Sequence, residues 1–359
     1  HGLQALAAWP IPLLGLHCAT FLIPAGADRD EVLAALARDS RVALAQPLQE
    51  FETRGRAANP PAGLAGLPPP KPPATSPEAT APAGPYNDPY LPLQRNLRTL
   101  GVLDAHRCSR GQGVTVAVID TGVDTTHADL QGLQASSANF VDADERQFRL
   151  DLHGTEVAGL ISARPGNGLG IVGMAPDARL LLYKACWQKP GQGGAVCNSF
   201  TLAQALASAI DRGAQVINLS LGGPADPLLN RLLQKALAKG IVVVGATPAT
   251  GGNSGFPVGM PGVIAVQERA DGGPGLQAPG NEVLTLTPGG RYDFGSGSSL
   301  AAAQVSAAAA LILQRQPGLD GPAIERLLRT NAQRRDGGSP NLCEVLAALE
   351  TSCPCPVGR

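Results

Sequence analysis

Three short segments of this 359-residue chain hold side chains whose types could move a proton and attack a carbonyl. Asp120 closes the apolar run Val114-Thr-Val-Ala-Val-Ile and opens Asp-Thr-Gly-Val-Asp. A buried carboxylate beyond a strand end can orient a neighbouring imidazole, although a lone aspartate there serves equally as a turn or cap residue. His153 stands in Asp-Leu-His-Gly-Thr-Glu-Val-Ala-Gly-Leu, at the start of a helical pattern whose Gly154 and Gly159 permit close backbone approach. His1, His17, His106 and His127 have no such setting. Ser299 lies in Gly295-Ser-Gly-Ser-Ser-Leu-Ala-Ala-Ala-Gln, where a glycine turn runs into an Ala-rich helix. The turn exposes a hydroxyl, and the helix N-terminus offers an N–H and a positive dipole end to a developing oxyanion. Ser296, Ser298 and Ser299 would each also serve as a plain N-cap. Hydroxyl, imidazole and carboxylate together are the set that nucleophilic acyl transfer needs.

Such groups must be held by a scaffold, and the pattern downstream of residue 86 supplies one. Short apolar runs at 114–119, 180–184, 216–221, 241–245 and 263–266 alternate with helical patterns at 153–162, 200–212, 227–239 and 299–314. Continuously apolar strands separated by helices predict an α/β fold, a doubly wound, mostly parallel sheet covered on both faces. Residues 54–85 carry 10 prolines in 32 positions and read as an extended linker. Ahead of it, residues 1–53 read as a small α+β unit, with a strand at 14–23, a helix at 28–38 and a strand at 42–51. Residues 86–359 form the large domain, ending in a Cys-containing tail.

Composition removes several function classes. The 28 basic and 29 acidic residues leave no electrostatic footprint for nucleic acid. No apolar stretch reaches the roughly 20 residues that a spanning helix needs. Residues 1–14 lack a basic flank followed by an apolar run, so a signal peptide is expected to be absent from this chain. Of seven cysteines, Cys18 stands apart and the other six can close three bridges. Cys186 and Cys197 flank a Gly-rich loop as a local pair. Cys353 and Cys355 are too close to bond each other, so one is expected to reach Cys343 and the other Cys108. Buried free thiols are the alternative. A zinc site would need Cys and His spacings that these residues lack.

Asp120-Thr-Gly-Val-Asp, His153-Gly-Thr-Glu-Val-Ala-Gly and Gly297-Ser-Ser-Leu-Ala, in that order, resemble the three active-site blocks of the subtilisin family. Ser298 and Leu300 stand where that family more often has Thr and Met. Gly173-Met-Ala-Pro, Val216-Ile-Asn-Leu-Ser-Leu-Gly-Gly and Pro261-Gly-Val-Ile-Ala-Val resemble its supporting blocks, and the likeness covers roughly residues 86–335. The resemblance implies a subtilisin-like serine endopeptidase acting on protein or peptide, with Ser299 as nucleophile, His153 as base and Asp120 holding the imidazole. It implies that Ser220, Leu221, Gly222 and Gly223 form an edge on which substrate backbone pairs. It also implies that the N-terminal unit is an inhibitory propeptide, cut away between about Phe51 and Tyr86, and that the protein is exported.

The resemblance breaks at one place. Where the family has Ala-Gly-Asn after the strand, this chain runs Ala246-Thr-Pro-Ala, and neither Pro248 nor Ala249 has a side-chain donor for the oxyanion. Asn253, Thr247 and Thr250 are the substitutes on offer, with Asn253 the best matched chemically. The damaged segment leaves open a second reading, a weak or silent protease fold used for binding. No cofactor is required. Calcium enters only as a structural ion, since Asp129 and Gln94 loosely match family ligands; both are expected instead at the surface. A nucleotide-binding reading fails, because Asp120-Thr-Gly-Val-Asp would put two carboxylates beside the phosphates.

Overall fold

Residues 2–57, 85–188, 194–248, 254–268, 273–335, 337–349, 353 and 355 are described by the structure, a computed structural model. The N-terminal unit opens with an antiparallel hairpin of Gln4–Ile11 (β1) and Leu16–Leu22 (β2). A helix follows at Arg29–Ala37, capped by Asp28, whose Oδ1 accepts the N–H groups of Asp30 and Glu31 at 2.8 and 2.9 Å. Two further strands, Glu50–Thr53 (β3) and Arg56–Ala57 (β4), leave the unit for the large domain. The expected strand over 42–51 is therefore corrected: regular pairing starts only at Glu50. β1 was not expected at all. Its Ala-rich sequence has little strand propensity, and it is held by β2.

In the large domain the strands are Thr115–Asp120 (β5), Ala135–Asn139 (β6), Arg179–Lys184 (β7), Cys186–Gln188 (β8), Ala195–Asn198 (β9), Val216–Leu219 (β10) and Leu221–Gly222 (β11). Then come Val242–Ala246 (β12), Ile264–Gln267 (β13), Leu276–Gln277 (β14), Val283–Thr287 (β15) and Arg291–Ser296 (β16). Seven of them form a parallel sheet in the order β14-β13-β12-β10-β5-β7-β6. From β5 the chain goes to the edge strand β6, returns to β7 between them, and then crosses to build β10, β12, β13 and β14 on the other side, so the carboxyl ends of β5 and β10 flank the switch point, where ligands gather in open α/β sheets.

Alternation along these strands feeds two cores. Val116 and Val118 of β5 join Leu180 and Leu182 of β7 and the buried helices Leu152–Ser162 and Ser298–Arg315 on one face. Ala117, Ile119, Leu181 and Tyr183 join the helices Ser199–Asp211 and Pro227–Ala238 on the other. Ile11 and Phe51 of the N-terminal unit are fully buried in this second core. Among the described residues no helix is long and apolar enough to cross a membrane.

Cysteine pairs lie at disulfide distance at Cys108–Cys353, Cys186–Cys197 and Cys343–Cys355, which resolves the open choice for the tail. Cys18 is unpaired.

Candidate active site

Asp120 is the last residue of β5 and is buried. Its Oδ1 accepts the Thr121 N–H at 2.7 Å and lies 2.7 Å from His153 Nδ1, while Oδ2 is buried without a hydrogen-bond partner. His153 sits in the first turn of the helix Leu152–Ser162. That helix is fastened to the turn after Asp120 by Gly154 N–H, which donates to Thr121 Oγ1 at 3.0 Å. The fit admits no side chain: a Cβ on Gly154 would come within 2.3 Å of the Gly122 carbonyl oxygen.

The other imidazole nitrogen, Nε2, lies 3.0 Å from Ser299 Oγ. Ser299 is the second residue of the helix Ser298–Arg315, whose N-cap Gly297 has φ 142°, a conformation that only glycine adopts freely. Its neighbours pin it. Ser220 Oγ donates to the Ser299 carbonyl at 3.1 Å, Asn218 Nδ2 donates to Ser220 Oγ at 2.9 Å, and Ser306 Oγ donates to Asn218 Oδ1 at 2.9 Å. Ser298 Oγ donates to the Thr247 carbonyl at 2.6 Å. At the start of the serine helix the N–H groups of Leu300 and Ala301 donate to the Gly297 carbonyl at 3.1 and 3.5 Å, and those of Ser298 and Ser299, which precede them, have no acceptor within the helix.

Three charged residues that the sequence reading passed over surround this core. Lys184 ends β7 in register with Asp120 and makes a fully buried ion pair with Asp151, the N-cap residue of the histidine helix. Burial pushes the Asp151 carboxyl up, with Lys184 acting against that and Asp120 adding to it. Glu156 lies one turn after His153 and is buried; burial raises its carboxyl to about 7, with His153 pulling it down and Asp120 and Asp293 pushing it up. For His153 itself burial favours the neutral ring, yet the charge and hydrogen bond of Asp120 and the charge of Glu156 leave its basicity above the ordinary value. The sequence held one signal for Lys184, a charge closing an apolar run as Asp120 does; Glu156 on a helix looks like any solvated residue.

The cleft is filled by the chain itself. β3 runs antiparallel between β9 and β11, pairing Phe51 with Cys197, Glu52 with Val196 and Gly222, and Thr53 with Leu221. Arg54 N–H donates to the Ser220 carbonyl at 3.1 Å, and β4 then pairs with β16 through Arg56–Ser296 and Ala57–Gly295. Ser220, Leu221 and Gly222 thus contact the N-terminal segment, while Gly223 exchanges hydrogen bonds with Phe256. Gln46 ties the same segment to the helix Pro227–Ala238, donating to Asp226 Oδ2 at 2.7 Å and accepting from Leu228 N–H at 3.1 Å.

Asn253 and Thr250, offered for the oxyanion, lie outside the described residues. Thr247 is buried, with its backbone N–H on Val266 and its carbonyl on Ser298. Gln94 and Asp129 are corrected: both are buried rather than at the surface. Gln94 exchanges two hydrogen bonds with the Val172 backbone. Asp129 accepts from Asn167 Nδ2, Ile171 N–H and the Tyr292 hydroxyl. These donors occupy the oxygens a cation would need, so this arrangement does not fit a calcium cage.

A family model described as the subtilase family, Peptidase_S8, matches residues 111–344. The chain belongs to the subtilase family. Its relatives include the thermophilic serine proteinase of Bacillus sp. (strain AK1), 35% identical over 272 residues, which are 72% of this chain and 66% of the relative. Subtilisin E of Bacillus subtilis (strain 168) is 35% identical over 245 residues, 63% of this chain and 59% of that protein. Among solved structures, fervidolysin from Fervidobacterium pennivorans, a keratinolytic enzyme related to subtilisin, matches with a TM-score of 0.65 at 25% identity, covering 86% of this chain and 52% of its own. This subtilase therefore spans about three-fifths to two-thirds of those two curated relatives and about half of fervidolysin.

Proposed function

We propose that this subtilase is a serine endopeptidase in which Ser299, His153 and Asp120 act as a triad, made as a precursor whose N-terminal unit occupies the cleft. One observation carries the reading: a single imidazole reaches Asp120 at 2.7 Å on one side and Ser299 at 3.0 Å on the other. Ser299 Oγ attacks the peptide carbonyl as its proton passes to His153 Nε2. The same proton goes to the leaving amine, and water then repeats the sequence on the acyl-enzyme. Asp120 fixes the Nδ1–H tautomer and stabilises the imidazolium. The oxyanion is held by the N-terminus of the serine helix, with Asn253 as the side-chain donor offered by the sequence. Backbone of the substrate pairs with Ser220, Leu221 and Gly222, as β3 does, and Gly223 continues that edge. No step calls for a cofactor. Three cysteine pairs at disulfide distance support export to an oxidising compartment.

The test is labelling with a fluorophosphonate and turnover of a peptide ester by chain freed of its N-terminal unit. Label is expected on Ser299, and Ser299→Ala should lose label and about 10⁶-fold in kcat, a scale known from subtilisins. Absence of label from the wild-type chain would favour a silent, substrate-binding protease fold instead.

A further inference from the structure

We propose that the C-terminal cysteines form a thiol-exchange site, at which a small thiol caps Cys355 and the bridge it opens is passed inward to Cys108–Cys353. The proposal goes beyond the endopeptidase reading and does not depend on it.

The two tail bridges are in contact. Cys353 Sγ lies 4.0 Å from Cys355 Sγ, and the sulfurs of Cys343, Cys353 and Cys355 all lie within 4.8 Å of one another. One residue separates Cys353 from Cys355 in sequence, and the Cys355 N–H donates to the Cys353 carbonyl at 3.0 Å, which draws the two together. Their partners belong to the body of the domain. Cys343 is the second residue of the helix Leu342–Leu349, whose Leu342 N–H donates to the Leu100 carbonyl at 2.8 Å. Cys108 N–H donates to the Ala105 carbonyl at 2.9 Å, and the next residue, Ser109, donates to the Leu311 carbonyl at 2.7 Å. The tail thus carries two adjacent sulfurs between two anchored ones.

Exchange needs an accessible sulfur to attack and a good leaving thiolate. Cys343 and Cys353 are buried, whereas Cys108 and Cys355 are half-buried. Attack on Cys355 expels Cys343, which sits in the first turn of a helix where the dipole favours a thiolate. Attack on Cys108 would expel Cys353, which lies in no helix. Cys355 is therefore the point of entry.

The steps balance with one thiol as co-reactant. Its thiolate bonds to Cys355 Sγ, the Cys343–Cys355 bond breaks, and the electron pair stays on Cys343 Sγ. Cys343 then bonds to Cys353 Sγ, and the Cys108–Cys353 bond breaks. That pair leaves on Cys108 Sγ, which takes up the proton the thiol gave up. Two disulfides and one thiol enter; a capped Cys355, a Cys343–Cys353 bridge and a Cys108 thiol leave. The tail stays closed on its own helix while its link across 245 residues of sequence is released. Cys186–Cys197 provides an internal control, since both residues are fully buried and, among the described residues, no third cysteine groups with them.

The test uses the full chain carrying Ser299→Ala, so that proteolysis plays no part. It is treated with reduced glutathione, stopped with acid, labelled with N-ethylmaleimide at acid pH, and its bridges are mapped by peptide mass spectrometry. Glutathione on Cys355, label on Cys108 and a Cys343–Cys353 bridge are expected together, with Cys186–Cys197 intact. A Cys108–Cys355 bridge in place of the cap supports the same relay, Cys108 having expelled the glutathione. Label on Cys343 with Cys108–Cys353 intact overturns the relay. A chain whose tail cysteines take up no glutathione, or one whose Cys186–Cys197 opens equally fast, overturns the site. Replacing Cys343 and Cys355 together by serine separates relay from direct attack: Cys108 should then be released at least about tenfold more slowly at the same glutathione concentration. An unchanged rate means that Cys108–Cys353 is reached directly and overturns the proposal. The map of the chain with all seven cysteines decides by itself if this variant fails to fold.

Discussion

Glu156 lies one helical turn beyond His153 and is buried. Its carboxyl is raised by burial to about 7, so it gains charge over the same range in which a protease base must be neutral. In the proposed triad His153 works only when unprotonated, so activity is expected to rise as pH rises through its pKa. The Glu156 charge is one of the influences holding that pKa up, beside the stronger ones of Asp120. Glu156→Gln keeps the shape and removes the charge. The ascending limb of kcat/KM against pH should then move to lower pH while the plateau changes by less than about threefold. A limb that stays in place would show that the carboxyl does not act on the imidazole. Lys184 and Asp151 place a second compensated charge beside Asp120, and removing either partner alone would leave the other buried and unpaired, a loss of roughly 3–5 kcal/mol.

At the scale of elements, the site depends on two helices pressed against the carboxyl ends of β5 and β10. The histidine helix can approach the Asp120 turn only because Gly154 has no side chain. Gly154→Ala would push the helix start away from Gly122 by a sizeable fraction of an ångström or more. Misplacement on that scale costs on the order of 10²-fold in turnover, so kcat should fall by about that factor while circular dichroism still reports a folded chain. The five runs read as central strands were legible because both faces of a parallel strand are buried and each run is almost wholly apolar. β6, Ala135-Ser-Ser-Ala-Asn, carries no such signal: it is an edge strand made by its pairing with β7. β3 was read eight residues too early because its Glu-Phe-Glu-Thr pattern gains partners only from β9 and β11, neither of which adjoins it in sequence. The three site motifs were legible from residue type and order, whereas Asp151, Lys184 and Glu156 were not, since burial turns ordinary charges into parts of the site and sequence alone does not display burial.

Over the whole molecule, the cysteine pairs do two different jobs. Cys108–Cys353 spans 245 residues of sequence and fixes the C-terminal tail to the segment leading into β5. Its neighbour Ser109 donates to the Leu311 carbonyl, 12 residues along the serine helix from Ser299, a distance of roughly 18 Å. Cys186–Cys197 closes 11 residues and joins β8 to β9 in the wall of the cleft, opposite Phe51. In the chain-entropy account the long closure contributes about 5 kcal/mol and the short one about 3 kcal/mol. Replacing Cys108 and Cys353 by serine should therefore lower the melting temperature by roughly 5–10 °C and leave kcat/KM on a peptide substrate within about twofold. Replacing Cys186 and Cys197 by serine should lower it less and yet raise KM, because β9, which lines the cleft on the side of β3 away from the proposed substrate edge, loses its brace. Parallel melting curves and steady-state kinetics on the two double variants distinguish them, and an equal effect of both on KM would mean that the cleft wall is held by the core rather than by its disulfide.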